Sequence, residues 1–155
     1  MALPTKPLYE TDFAEWAGRT ADLLREGRYS EIDMENVAEE IESLGRNNQS
    51  AVRSQLRRVL VHVIKMKLQP ERSGTSWRVS IISGQTEILD RFDDAPSLRR
   101  HLEANLAKIY RQAVREAERE TKLASQSGSM ALPANCPFTL DELLDGEPED
   151  LVAKL

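Results

Sequence analysis

The chain has 155 residues, of which 40% are hydrophobic and 30% are charged, and its formal net charge is −5. This length favours one domain with its own core, and the negative charge argues against general affinity for nucleic acid. The single cysteine, Cys136, excludes an intrachain disulfide and a cysteine-based metal site. No stretch approaches the roughly 20 apolar residues of a membrane span, so we expect a soluble, cytoplasmic protein.

The amino-terminal third predicts an extended arm followed by two amphipathic helices. Residues 1–10 contain two prolines and are expected to form the arm. Thr11 or Asp12 can cap the first helix, which Gly27 ends. The second helix begins at Ser30 or Asp33 and has an apolar side that we expect to face the core. That side consists of Met34, Val37, Ala38, Ile41 and Leu44.

A block of acid is followed at once by a block of base. From Glu31 to Glu42 six residues are acidic and none is basic, whereas from Arg46 to Lys67 six are basic and none is acidic. The charge changes sign at Ser43-Leu44-Gly45. This change predicts a turn at Gly45 and a third helix over residues 48–69 that packs antiparallel to the second.

The second half of the chain predicts two more long helices. An apolar face at helical spacing indicates a fourth helix over residues 75–94, and Gly84 within it indicates a close crossing with another backbone. Ser97 caps a fifth helix that extends to about Leu123.

The carboxyl-terminal segment predicts a loop, a short helix and a tail. The loop covers residues 124–138, which are rich in small side chains. Thr139 and Glu142 have the spacing of a capping box and begin the short helix. Residues 146–155 are expected to fray. The predicted fold is therefore all-α, a single-domain bundle over residues 1–155 with five main helices plus a short C-terminal helix.

Several segments along the chain together carry a family resemblance. The acidic Ser-Leu-Gly segment at residues 35–45 is the most specific of them. The others are residues 9–13 with Trp16, 69–72 with 76–78, 96–98, and 136–137 with 139–140 and 143–144. With these segments the chain resembles one bacterial family, the domain of unknown function 29, which is found largely in cyanobacteria. The resemblance covers nearly the whole chain and implies an all-helical, single-domain bacterial protein. It brings no reaction, ligand or catalytic residue.

Glu35, Glu39 and Glu42 form an acidic stripe with one carboxylate per turn of the second helix. Inward-pointing glutamates hold metal ions in some helical bundles. This stripe lies opposite the apolar side, however, and the Glu-x-x-His pair typical of such sites is absent. We therefore expect a solvated face or a partner-binding surface, with no metal and no cofactor.

The third helix supplies the basic candidates for a partner-binding surface. Arg53 and Arg57 flank its apolar side four residues apart, and their mutual repulsion calls for an anion. We favour internal pairing with the acidic second helix, around Glu40, over an external phosphate or acidic protein. Arg58 and Lys65 project outward and remain available to a partner.

Three functions are compatible with these residues. The leading interpretation is a non-enzymatic protein–protein interaction or self-association domain that uses the charged helical faces. The first alternative is a nucleic-acid-binding protein that acts through the basic third helix. The second is a metal-dependent enzyme or regulator that uses the bundle carboxylates with His62. Cys136 lacks a local catalytic signature, and no membrane partner is predicted.

Overall fold

A computed structural model gives the structure of residues 7–121 and 131–155, and every regular element in these two ranges is helical. The α-helices are α1 (Leu8–Thr11), α2 (Phe13–Arg25), α3 (Met34–Leu68), α4 (Thr75–Asp94), α5 (Ser97–Thr121), α6 (Leu140–Asp145) and α7 (Pro148–Ala153). Short 3₁₀ turns at Tyr29–Glu31 and Pro70–Arg72 precede α3 and α4. The all-α prediction is confirmed.

The chain divides into two compact units, the N-terminal unit Met1–Arg46 and the C-terminal unit Asn47–Leu155. Helix α3 supplies its first residues to the N-terminal unit and the rest to the C-terminal unit. The single domain over residues 1–155 stays a prediction.

Helix α2 of the N-terminal unit has the predicted ends. The Asp12 carboxylate accepts a hydrogen bond from the Glu15 amide at 3.0 Å, which satisfies one free amide of the first turn. Gly27 follows the helix with φ +71°, a left-handed conformation that glycine adopts without a side-chain clash. Both predicted boundary signals of this helix act as expected.

The predicted arm is wrong for its last residues, because Leu8–Thr11 form α1. Pro7 precedes this turn with φ −56°, and the Asp12 amide donates to the Leu8 carbonyl at 2.8 Å. The Tyr9 hydroxyl donates to Glu40 of α3 at 2.5 Å. Residues 1–6 of the predicted arm lie outside the described residues.

The predicted break at Gly45 is wrong, and with it the antiparallel pair of helices, because α3 runs without interruption from Met34 to Leu68. Glycine inside a helix costs only about 1 kcal/mol relative to alanine. Arg46 bonds Glu42 at 3.3 Å and Ser43 at 2.9 Å across that position. Acid near the start and base near the end of one helix also match its macrodipole.

The predicted core side of the acidic helix segment is wrong as well. Ile41 is 64% exposed and Leu44 is 66% exposed, and Met34 and Ala38 are also exposed. Of the predicted core side only Val37 is partly buried, and within the N-terminal unit the inward side of α3 also carries Glu40, which bonds Tyr9. Helical periodicity identified an apolar stripe but not the direction in which it points.

The C-terminal unit contains the hydrophobic core, whose buried residues all lie between Val52 and Leu151. Helices α3 and α4 cross closely at the predicted Gly84, where an added Cβ would lie 2.6 Å from Val59 Cγ2. At the other end of this pair, Lys65 Nζ lies 5.1 Å from the ring centroid of Trp77. Because the partner residue on α4 falls in number as the position on α3 rises, these two helices are antiparallel.

The last two helices of the C-terminal unit close over α4. Thr139 and Glu142 form the predicted capping box at the start of α6. The buried Gln85 side chain donates to the carbonyls of Leu143 at 2.8 Å and Gly146 at 2.9 Å. These bonds satisfy backbone acceptors near the end of α6 that burial would otherwise leave unpaired.

The prediction that residues 146–155 fray is wrong, because Pro148–Ala153 form α7. Pro148 suits the first helical position, and its burial with that of Leu151 anchors the helix. In the predicted loop, residues 131–138 contain no helix, and the Pro133 carbonyl accepts from the Tyr110 hydroxyl at 2.8 Å. Residues 124–130 of that loop and Leu123 lie outside the described residues.

Of the helices in the described ranges, none has both the length and the apolar composition required to cross a membrane.

Candidate functional site

Helices α3 and α5 of the C-terminal unit run side by side in the same direction. Arg57 Nε lies 3.1 Å from Glu116 Oε2. About two turns further along α3, Lys65 Nζ lies 2.7 Å from Glu120 Oε2. The partner on α5 advances as the position on α3 advances, which makes the helices parallel. Their exposed sides form the walls of a groove.

Two adjoining cavities make up this groove, which we name the basic groove. Their volumes are about 190 Å³ and 470 Å³, and Arg57 and Gln112 border both. The cations that line the basic groove are Arg53, Arg57, Lys108, Arg115 and Arg119. A chain with a net charge of −5 thus concentrates positive charge on one surface.

The smaller cavity is lined by groups that suit a carboxylate or phosphate oxygen. Its neutral polar side chains are Ser50, Ser54, Asn105 and Gln112, and no carboxylate of the described residues borders it. Hydroxyls and amides donate hydrogen bonds, while arginine and lysine supply charge-assisted ones. An anionic group in this cavity would meet donors from both helices.

The two carboxylates of the larger cavity, Glu116 and Glu120, are already engaged by Arg57 and Lys65. The other four cations of the basic groove have no carboxylate within 4.0 Å among residues 7–121 and 131–155. Their charge is therefore not neutralised by the part of the chain that the structure describes.

His101 lies on α5 one turn before Asn105, whose amide donates to the His101 carbonyl at 2.8 Å. Its Nε2 is buried and has no hydrogen-bond partner among the described residues. Burial lowers the pKa of His101, and the positive charge of Arg53 lowers it further. Both effects favour the neutral imidazole, and the cations that line the basic groove are arginine and lysine.

The acidic site residues predicted from the sequence all lie in the N-terminal unit. Glu35, Glu39 and Glu42 are exposed on α3. Glu42 bonds Arg46 one turn later at 3.3 Å. Nowhere in the described ranges are three histidine, cysteine, aspartate or glutamate side chains grouped so as to hold a metal ion.

The predicted basic site residues separate into two groups. Arg53 and Arg57 line the basic groove, but Arg57 pairs with Glu116 of α5 and not with the acidic segment around Glu40 as predicted. Arg58 is exposed and does not border either cavity of the groove.

The expectation that Lys65 projects freely into solvent is wrong. Its side chain is only 17% exposed, and its ammonium group lies between Glu120 and the ring of Trp77. The charge of Lys65 is therefore engaged by contacts within the C-terminal unit.

Sequence reasoning missed the half of the basic groove that α5 provides, namely Lys108, Arg115 and Arg119. These residues recur at i, i+7 and i+11, a spacing that places them on one face of a helix. That periodicity was present in the sequence. The alignment of this face with Arg53 and Arg57 required the parallel packing of α3 and α5.

Cys136 has the environment of a structural cysteine. It is partly buried against the core, and its Sγ lies 3.5 Å from the Phe138 carbonyl oxygen. Burial raises the pKa of the Cys136 thiol. Because the thiolate is the nucleophilic form, this thiol is poorly suited to attack a substrate.

Comparison with known families provides a match over nearly all of this fold. The family described as "Domain of unknown function DUF29" matches residues 8–147. The chain belongs to this family. The resemblance noted from the sequence is thereby confirmed, and it extends across the elements from α1 to the end of α6.

A solved structure shares the fold of this DUF29 chain. It is the 1.45 Å crystal structure of an alpha-helical protein of unknown function from Rhodospirillum rubrum ATCC 11170. The two sequences are 28% identical, the alignment covers 97% of this chain and 99% of that chain, and the TM-score is 0.67. The comparison with curated proteins finds no match. These relationships support the helical fold and name no activity.

Proposed function

We propose that this protein is a non-enzymatic interaction domain whose basic groove binds an acidic segment of a protein. The observation that supports this proposal is the set of five cations in the groove, of which only Arg57 has a carboxylate partner among the described residues. An arriving carboxylate would form charge-assisted hydrogen bonds there. The groove would also steer an acidic partner toward itself during encounter.

The lining of the groove and the net charge of the chain both favour a protein over a nucleic acid as the partner. Among residues 7–121 and 131–155 no aromatic side chain lines either cavity, so this part of the chain provides no stacking surface of the kind on which single-stranded bases usually rest. The chain as a whole carries a charge of −5, which repels a long polyanion more than a short acidic segment. Nucleic acid is therefore the competing outcome of the test.

The test compares a short fluorescent poly-glutamate peptide with a single-stranded oligonucleotide of equal charge, each titrated with protein at low salt. The groove variant is Arg53→Glu with Lys108→Glu. The matched control is Arg58→Glu, an exposed charge reversal on the same α3 outside the groove. We expect the groove variant to weaken peptide binding by at least about tenfold, the equivalent of roughly 1.4 kcal/mol, and the control to bind nearly as the native protein does.

Two results would contradict the proposal. Equal binding of the peptide to native protein and groove variant would remove the groove from the interaction. Groove-dependent binding of the oligonucleotide alone would replace the acidic protein segment with nucleic acid. Circular dichroism of each variant checks that helix content is unchanged.

A further inference from the structure

The N-terminal unit leaves half of its described large apolar side chains exposed. Among its described residues only Thr20 and Ile32 are buried. Its exposed large hydrophobic residues are Phe13, Leu24, Tyr29, Met34, Ile41 and Leu44. Segments of about 40 residues rarely bury enough surface to be stable without additional support. The exposed apolar side chains of this unit therefore form a surface that another molecule can cover.

The exposed side of α3 in this unit has two parallel edges. At about 100° per residue, Met34 and Ile41 lie along one edge, and the acidic stripe lies along the other. The small residues Ala38 and Gly45 lie between the edges, and an added Cβ at Gly45 would meet no atom within 4 Å. A partner can thus approach the helix closely and contact both edges.

Charge identifies the kind of surface that fits this face. Residues 1–46 include eleven acidic and five basic side chains. A partner surface that is itself acidic would therefore be repelled. The acidic stripe has one carboxylate on each helical turn. The basic groove has the same repeat, because Arg53 and Arg57 lie one turn apart on α3. On α5, Arg115 and Arg119 also lie one turn apart. A helix lying along the groove would match carboxylates to cations at the same repeat.

We infer that the acidic partner of the basic groove is a second copy of this chain, which inserts the exposed side of its α3 from the N-terminal unit. The inference rests on the function proposed above and names its partner. Two such contacts, one in each direction, close a dimer with two-fold symmetry and leave no groove open for further growth. The apolar edge adds burial that exposed charge pairs alone do not supply.

A charge exchange between two variants tests this dimer. One variant carries Glu39→Lys with Glu42→Lys, and the other carries Arg53→Glu with Lys108→Glu. In a dimer of either variant alone, the α3 face and the groove that it enters would carry charge of the same sign and repel each other. Light scattering after gel filtration at low salt should therefore give the mass of one chain. In an equimolar mixture both contacts regain opposite charges, and the mass should double. Native protein should show the doubled mass without mixing.

The apolar edge is tested separately with Ile41→Ser, against Val79→Ser as an exposed apolar control in the C-terminal unit. We expect Ile41→Ser to raise the dissociation constant of the dimer at least about tenfold, which is roughly 1.4 kcal/mol, and Val79→Ser to leave it unchanged. An unchanged constant for Ile41→Ser would contradict the docking face.

Failure of this inference is distinguishable from failure of the proposed function. Native protein that stays monomeric at every concentration, or a mixture of the two charge variants that stays monomeric, overturns the second copy as partner. A dimer that persists in each charge variant on its own overturns the inference as well, because the two copies would then meet through a contact other than the acidic stripe in the basic groove. If the poly-glutamate peptide still requires Arg53 and Lys108 in any of these cases, the groove binds a different acidic protein and the proposed function stands.

Discussion

The N-terminal and C-terminal units have the same helical periodicity and opposite burial. In the C-terminal unit, Val52, Leu56 and Ile64 recur at helical spacing and are fully buried. In the N-terminal unit, Met34 and Ile41 recur at the same kind of spacing and are more than half exposed. Periodicity shows which side of a helix is able to pack. Whether it packs depends on a neighbouring element, which one segment of sequence does not reveal.

The largest expected effect sharpens this contrast with the same substitution in each unit. Leu56→Ala empties a fully buried site and should lower the free energy of unfolding by about 2–5 kcal/mol. Leu44→Ala removes a side chain that is 66% exposed and should change it by no more than about 0.5 kcal/mol. Urea unfolding followed by circular dichroism measures both.

These measurements are made at high salt, which screens the charge pairs of the proposed dimer. Equal losses for Leu44→Ala and Leu56→Ala would mean that the apolar stripe of the N-terminal unit is covered within the isolated chain. The contrast between the two units would then fail.

The second contrast uses two glycines inside helices. An added Cβ at Gly84 would lie 2.6 Å from the buried and rotationally restricted Val59 side chain. Overpacking of this kind costs about 1–3 kcal/mol and outweighs the gain of roughly 1 kcal/mol from helix propensity. Gly84→Ala should therefore destabilise the protein. Gly45→Ala has open space around it and should stabilise it by up to about 1 kcal/mol.

The midpoints of thermal unfolding, measured at high salt as above, decide the signs of these two changes. A destabilised Gly45→Ala variant would indicate that the helix bends or is contacted at that point. A stabilised Gly84→Ala variant would mean that α3 and α4 separate easily enough to admit a methyl group.

Sequence reasoning succeeded where a local interaction decides the structure. The Thr139–Glu142 capping box, the Asp12 cap and the bounds of α4 all depend on neighbours within a few residues. It fails at Gly45, because the helix-forming residues on both sides outweigh the penalty of a single glycine and α3 continues through it.

The basic groove could be predicted only in part, because its two walls are far apart in the sequence. Arg53 and Arg57 were recognised, but the anion assigned to them came from the adjacent acidic segment. The actual partner of Arg57 is Glu116, which lies on α5. From the sequence alone, the nearest charged segment is the first choice as the partner of an arginine. In the structure, packing instead brings α3 next to α5, although α4 lies between them in the sequence.

The smallest expected effect concerns the polar contact that joins α1 to α3 inside the N-terminal unit. The hydrogen bond from Tyr9 to Glu40, followed by burial and the nearby carboxylates, raises the pKa of Tyr9 from 10.0 to about 12. A raised pKa in the folded state means that this contact stabilises the unit fully below pH 10 and that the stabilisation is lost as the pH rises toward 12.

Glu40→Gln removes the carboxylate and should return the pKa of Tyr9 toward 10, which NMR of ring-labelled tyrosine measures for each tyrosine separately. Asp22→Asn, a carboxylate of α2 whose partner in the structure is Arg25, is the control and should leave the pKa of Tyr9 unchanged. If Tyr9 already titrates near pH 10 in the native protein, α1 is not held by this bond, and the contrast with the well-packed C-terminal unit becomes greater.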